Sequence, residues 1–124
     1  MKIKFNSKFC TTEKQSKRLM ALGLKLSTAD CHRTITAKGN SFRGGFDIDK
    51  YELYGDNYLP AWSLSRLLEM SPMCQIDTTT KCVMFYPSLK CFNKNKDVYY
   101  NLIDCIEWLI KEGNFNKEYL EEKL

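Results

Sequence analysis

The sequence predicts an α+β fold: a small, mainly antiparallel sheet packed against a C-terminal amphipathic helix, with short additional helices. Three observations predict it. Residues 31–37 alternate, with Cys31, Arg33, Ile35 and Ala37 on one side and His32, Thr34 and Thr36 on the other, which is the period of a strand. Residues 82–86 form a short apolar run, Cys82-Val83-Met84-Phe85-Tyr86, which reads as a strand buried on both faces. Residues 97–112 set Val98, Leu102, Cys105, Ile106 and Leu109 on one helical stripe, widened by Ile103 and Ile110. With 124 residues, of which 44% are hydrophobic, the chain is sized to bury one core as a single domain over residues 1–124.

Each element has its own signal. Residues 2–5 read as a short edge strand. Thr12 and Gln15 have capping-box spacing, so a helix is expected from there to about Leu22, with Gly23 placed to close it. Leu19 and Leu22 give that helix a thin apolar stripe, while Lys14, Lys17 and Arg18 cluster on its outer side. Residues 31–54 are read as a β-hairpin with a long loop. Its first strand is the alternating segment, and Lys38-Gly39-Asn40-Ser41-Phe42-Arg43-Gly44-Gly45 is its turn-rich loop. The second strand begins at Phe46-Asp47-Ile48-Asp49. Tyr51 and Leu53 then fall out of phase, which a bulge near Lys50 would explain.

Pro60-Ala61-Trp62-Ser63 marks a corner. Pro60 stops what precedes it, Trp62 is a large anchor, and Ser63 is an N-cap for a helix at residues 64–70 that ends before Pro72. Residues 74–79 are placed to pair with the 82–86 strand. Asn93-Lys94-Asn95-Lys96 is a turn, Asp97 caps the long helix, Glu107 and Lys111 make an i,i+4 pair on it, and Gly113 ends it. A charged turn or helix from Asn116 to Leu124 follows, with Tyr119, Leu120 and Leu124 docking back. Trp62 is expected to be buried and Trp108 less so, because Trp108 falls at the margin of the apolar stripe.

Charge is unevenly placed. Residues 1–45 hold ten basic and two acidic side chains, a net +8, and the rest hold nine basic and thirteen acidic, a net −4. Either the two halves neutralise each other on folding or the basic half faces an acidic partner. No apolar stretch approaches the roughly 20 residues of a membrane span, and no signal-peptide-like run follows Met1-Lys2-Ile3-Lys4, so no membrane partner and a cytoplasmic location are expected. The six cysteines contain no C-x-x-C pair and are read as thiols filling apolar space, with Cys82 and Cys91 able to meet across a hairpin only in an oxidising compartment.

Chemistry-bearing patterns are thin. His32 is the single histidine, and its neighbour Cys31 points to the opposite face of a strand, so the two form no nucleophile–base pair. Asp47, Asp49 and Asp56 fall in one acidic stretch without the order of a calcium loop. The Gly-rich loop lacks G-K-[ST], leaving only Lys38, Asn40, Arg43 and the Gly44-Gly45 backbone as a phosphate or partner contact. No catalytic residue, metal or cofactor is expected.

Four pieces of the chain resemble one family: Phe9-Cys10-Thr11-Thr12 with Gln15-Ser16, Ser27-Thr28-Ala29-Asp30, Pro60-Ala61-Trp62-Ser63-Leu64 with Leu67-Leu68, and Trp108-Leu109 before Gly113. In these the chain is similar to small proteins, without an assigned activity, of Bacteroidales gut bacteria and their prophages. The resemblance implies a mobile-element product acting inside a bacterial cell, and such products are often binding or accessory proteins. The functional expectation is therefore a non-enzymatic accessory or adaptor protein of a phage or mobile element, with another protein as partner. Its contact residues would be exposed aromatics and their neighbours: Phe42, Arg43, Tyr51, Tyr54, Tyr58 and Trp108. A nucleic-acid face built from Lys14, Lys17, Arg18, Lys38 and Arg43 is the first alternative. A small metal-dependent hydrolase or nuclease is the second.

Overall fold

The computed structural model describes residues 9–122, so the strand expected at residues 2–5 and the docking of Leu124 lie outside the described residues. The elements run α1 (Glu13–Ala21), β1 (Cys31–Thr36), β2 (Gly39–Gly44), α2 (Ile48–Tyr54), β3 (Tyr58–Ala61), α3 (Leu64–Glu69), β4 (Cys74–Ile76), β5 (Val83–Phe85), β6 (Lys90–Phe92) and α4 (Val98–Lys111), with short 3₁₀ turns between. The class is α+β. Two three-stranded antiparallel sheets are present, ordered β2-β1-β3 and β4-β5-β6.

The helix boundaries follow local chemistry. Thr12 and Gln15 form the capping box: the Gln15 N–H donates to the Thr12 hydroxyl at 3.2 Å and the Thr12 N–H donates to the Gln15 side chain at 2.9 Å. Ser63 and Asp97 cap α3 and α4 in the same manner. Helices α1 and α4 both close on a left-handed glycine, Gly23 (φ 97°) and Gly113 (φ 73°). In each, the glycine N–H and the next N–H fold back onto carbonyls of the last turn.

One core joins both halves. Leu19 and Leu24, Trp62, Leu67 and Met70, Val83, and Leu102, Ile103, Ile106 and Leu109 of α4 form a continuous buried cluster. Trp62 is fully buried, and its indole N–H donates to the Thr28 hydroxyl at 2.9 Å, so the burial leaves no orphan donor. Trp108 is half-buried on the second sheet. The C-terminal segment docks back: Lys25 donates to the Tyr119 carbonyl and Glu121 to the Gly23 carbonyl, with Leu24 bridged to Leu120.

Four expectations are corrected. Residues 38–45 are not a long loop: a tight turn at Ala37-Lys38 leads directly into β2, with Thr36 opposite Gly39. Residues 48–54 are helix rather than a bulged strand, because Asp47 caps them, its carboxylate accepting the Asp49 N–H at 2.9 Å. The phase break at Lys50 thus marks a change of period from two to 3.6. Pro60 lies inside β3, which tolerates it as an edge strand. Strand β5 is buried on one face only, with Val83 enclosed and Met84 half-exposed, because α4 covers one side of its sheet.

The cysteines also differ from the expectation of six thiols. Cys82 and Cys91 form a disulfide between the edges of β5 and β6, 6.7 Å apart at Cα. The hairpin register sets Cys91 opposite Met84, diagonal to Cys82, so the two meet across the hairpin as their positions in the sequence allow, but as a bond rather than as two thiols.

Candidate interaction surface

Residues 39–54 form an arm on the first sheet. Every residue of β2 is exposed, and no residue of α2 is buried. The arm is nonetheless fixed in place. Across β1 and β2, residues directly opposite share a face, so Arg33 and Phe42 lie on one side and His32 and Arg43 on the other.

On the first side, Phe42 stacks on Phe9 with centroids 5.6 Å apart and planes at 12°. The Arg33 guanidinium sits 5.4 Å from the Phe42 centroid, and its Nε donates to the Thr11 carbonyl. On the second side, Tyr58 supports α2. Its ring stacks on His32 at 4.3 Å and on Phe46 at 5.7 Å, and its hydroxyl accepts the Asp47 N–H at 3.0 Å. Phe46 in turn touches Tyr51 at 6.1 Å. A shallow cleft of about 470 Å³ remains between β1 and α2, lined by His32, Thr34, Thr36, Lys50, Tyr54 and Tyr58 among others. His32 Nδ1 lies 2.7 Å from the Gly45 carbonyl, which only accepts, so the proton is on Nδ1.

The expected contact residues divide. Phe42 (43% exposed), Tyr54 (56% exposed) and Arg43 lie on the open arm, and Tyr51 is half-buried against Phe46. Tyr58 and Trp108 lie off the open arm surface. Tyr58 is buried as the hinge of α2, and Trp108 is packed edge-on against Phe85 and beside Phe92, with the Lys90 ammonium 5.3 Å from its ring. Ile48 and Leu53, both exposed, complete the arm's apolar surface. They were missed because residues 46–54 were read with a strand's period; helical spacing exposes them.

The basic residues do not form one face. Arg18 bridges to Asp104 at 2.6 Å and Glu107 at 2.9 Å, so the two halves neutralise each other at this point. These hydrogen bonds hold Glu107 below the usual carboxylate range, Arg18 being the largest cause and Lys111 the next. Lys17 pairs with Glu13 on α1, while Lys14 is exposed there. Helix α1 packs beside β3, whereas Lys38 and Arg43 belong to the hairpin and edge strand β2 on the other side of β1. That hairpin, residues 31–46, carries Arg33, Lys38 and Arg43 and no acidic side chain.

The catalytic alternatives gain no geometry. Cys31 is buried beside Cys10, its thiol pushed up to about 12, mainly by burial and then by the Asp30 charge. Among the described residues, no group of three or more His, Cys, Asp or Glu is placed to hold a metal ion. Asp47 is occupied as a helix cap. No helix among the described residues is long and apolar enough to cross a membrane. Comparison with known protein families, with curated proteins and with solved structures finds no match to this chain.

Proposed function

We propose that the protein is a non-enzymatic accessory protein that binds another protein through residues 39–54. One observation carries this reading: an ordered, anchored arm presents a wholly exposed edge strand and a helix with no buried residue, the helix displaying Ile48, Leu53 and Tyr54 and the strand displaying Phe42 on the opposite side of the sheet. Apolar side chains held out by a fixed scaffold mark interaction sites, and an open strand edge offers main-chain hydrogen bonds to an extended segment. Residues 39–54 carry Arg43 and Lys50 against Asp47, Asp49 and Glu52, so the arm offers charges of both signs around its apolar side chains. The family resemblance supplies the setting, a phage or mobile element, and the cytoplasm as the place of action. Four cysteines kept as thiols support that location, and the Cys82–Cys91 bond weighs against it.

The test is site-specific photocrosslinking in cells making the protein, with benzoylphenylalanine replacing Tyr54 or, separately, Leu89. Both side chains are well exposed, but Tyr54 ends α2 while Leu89 lies in the turn between β5 and β6. A discrete protein adduct at position 54 and none at 89 is expected; equal labelling, or none at 54, overturns the reading. Titration with duplex and single-stranded DNA at two salt concentrations covers the alternative. Salt-sensitive binding, lost on Lys38→Glu with Arg43→Glu, would replace the protein partner with nucleic acid. Arg18 is unsuited to that test because its substitution also breaks the bridges to α4.

A further inference from the structure

All six cysteines fall into three spatial pairs, two of them between residues more than twenty positions apart in sequence. Cys82 and Cys91 are joined. Cys10 and Cys31 share a small buried cluster with Ala61. Cys74 and Cys105 place their sulfurs 3.6 Å apart, a contact distance that needs little movement to become a bond.

The last two pairs have opposite access. Cys10 and Cys31 are at most 1% exposed, enclosed on every side. Cys74, at the start of β4, is half-buried and opens into a surface cleft of about 470 Å³ lined by Met73, Gln75, Tyr86 and Pro87. The mouth of this cleft is held in shape, since Tyr86 donates its N–H to the Met73 carbonyl at 3.0 Å. Met73 itself is in the left-handed region at φ 69°, an uncommon conformation for a side chain of its size. Cys105 lies directly behind Cys74, fully buried on α4. The arrangement is a half-buried cysteine at the cleft in sulfur contact with a fully buried one behind it.

We propose that Cys74 and Cys105 are a redox-active dithiol that exchanges with small-molecule disulfides, Cys74 attacking and Cys105 resolving. The Cys74 thiolate attacks one sulfur of the disulfide. A mixed disulfide forms at Cys74, the S–S bond of the small molecule breaks, and its other half leaves as a thiolate. The Cys105 thiol then gives its proton to the first thiolate, and its sulfur attacks the Cys74 sulfur and displaces the second half, which takes up the proton that Cys74 released to solvent on forming its thiolate. The protein loses two electrons and two protons, and one small disulfide becomes two thiols. The division of labour agrees with the local hydrogen bond: the Cys105 thiol donates to Cys74, which holds Cys74 below the ordinary thiol range, while the same bond and burial push Cys105 up.

The experiment uses the full chain, reduced, desalted and exposed to oxidised glutathione, with peptide mapping under non-reducing conditions. A Cys74–Cys105 bond is expected to form about tenfold or more faster than any Cys10–Cys31 bond, because thiolate fraction and access both favour the first pair. Cys105→Ser and, as a better-packed second variant, Cys105→Ala should accumulate one glutathione on Cys74. Cys74→Ser should leave Cys105 unmodified. The wild-type chain alone is decisive against the proposal: no Cys74–Cys105 bond, or equal rates at the two pairs, overturns it. Glutathione attached to Cys105 in Cys74→Ser overturns the assigned order of attack.

Discussion

Helices α4 and α2 are built from the same kinds of residue and do opposite things. Helix α4 buries seven residues, among them Leu102, Ile103, Ile106 and Leu109, and it contacts strands of the second sheet and α1. Helix α2 buries none, although four of its seven residues, Ile48, Tyr51, Leu53 and Tyr54, are aliphatic or aromatic. The difference lies in arrangement. In α4 the apolar residues share a broad stripe that faces other elements. In α2, Ile48 and Leu53 stand on opposite flanks, so no single face can be covered by the chain itself. Stability and the proposed recognition therefore fall in separate regions, and the two should respond to mutation separately.

The largest effect is expected in α4. Ile106 is fully buried in the main cluster. Ile106→Ala removes its transfer energy and leaves a cavity, and should cost about 2–5 kcal/mol in denaturant unfolding. A loss under about 1 kcal/mol would mean that the core closes around the gap and that α4 is not its organiser.

How much of this contrast was legible in the sequence depends on whether a signal was local. The capping box at Thr12, the Ser63 and Asp97 caps, the glycine stops and the α4 stripe are local patterns, and they gave the helices and the buried Trp62 correctly. The arm was misread because a seven-residue helix offers scarcely two turns of periodicity, and Phe46-Asp47-Ile48-Asp49 imitates a strand across its cap. Phe42 and Tyr54 were found because exposed aromatics near turn residues are visible by type alone. Tyr58 is buried and Trp108 half-buried because their covering partners, Phe46 with His32 and Phe85 with Phe92, arrive by tertiary contact. The Cys82–Cys91 pairing was legible as two cysteines flanking a short hairpin, whereas residues 74 and 105 meet only once β4 and α4 are placed.

A middle-sized effect should appear at the joint between the two regions. The Tyr58 hydroxyl accepts the first N–H before α2 while its ring stacks between His32 and Phe46. Tyr58→Phe keeps the ring and removes only the acceptor, a change of about 1 kcal/mol by the usual worth of such a bond. The loss should be local. Amide hydrogen exchange in α2 should accelerate while exchange in α4 stays unchanged. Faster exchange in both helices would show that the arm is coupled to the core and that the separation drawn above is too sharp.

The smallest effect on stability is expected where the effect on binding is greatest. Leu53 is 73% exposed, so folding removes little of its surface from water. Leu53→Ser forfeits that small burial and a few tenths of a kcal/mol of helix propensity, leaving stability within about 0.5 kcal/mol of the parent chain. The photoreactive residue at position 54 should nevertheless lose most of its protein adduct in this background, because Leu53 is the most exposed of the arm's large apolar side chains. Unfolding curves and crosslinking yield, measured on the same variant, place it on one side of the comparison. If stability falls by more than about 1 kcal/mol, Leu53 is covered in solution by this chain and α2 belongs with α4. If stability and adduct are both unchanged, the arm is exposed but is not where the partner sits.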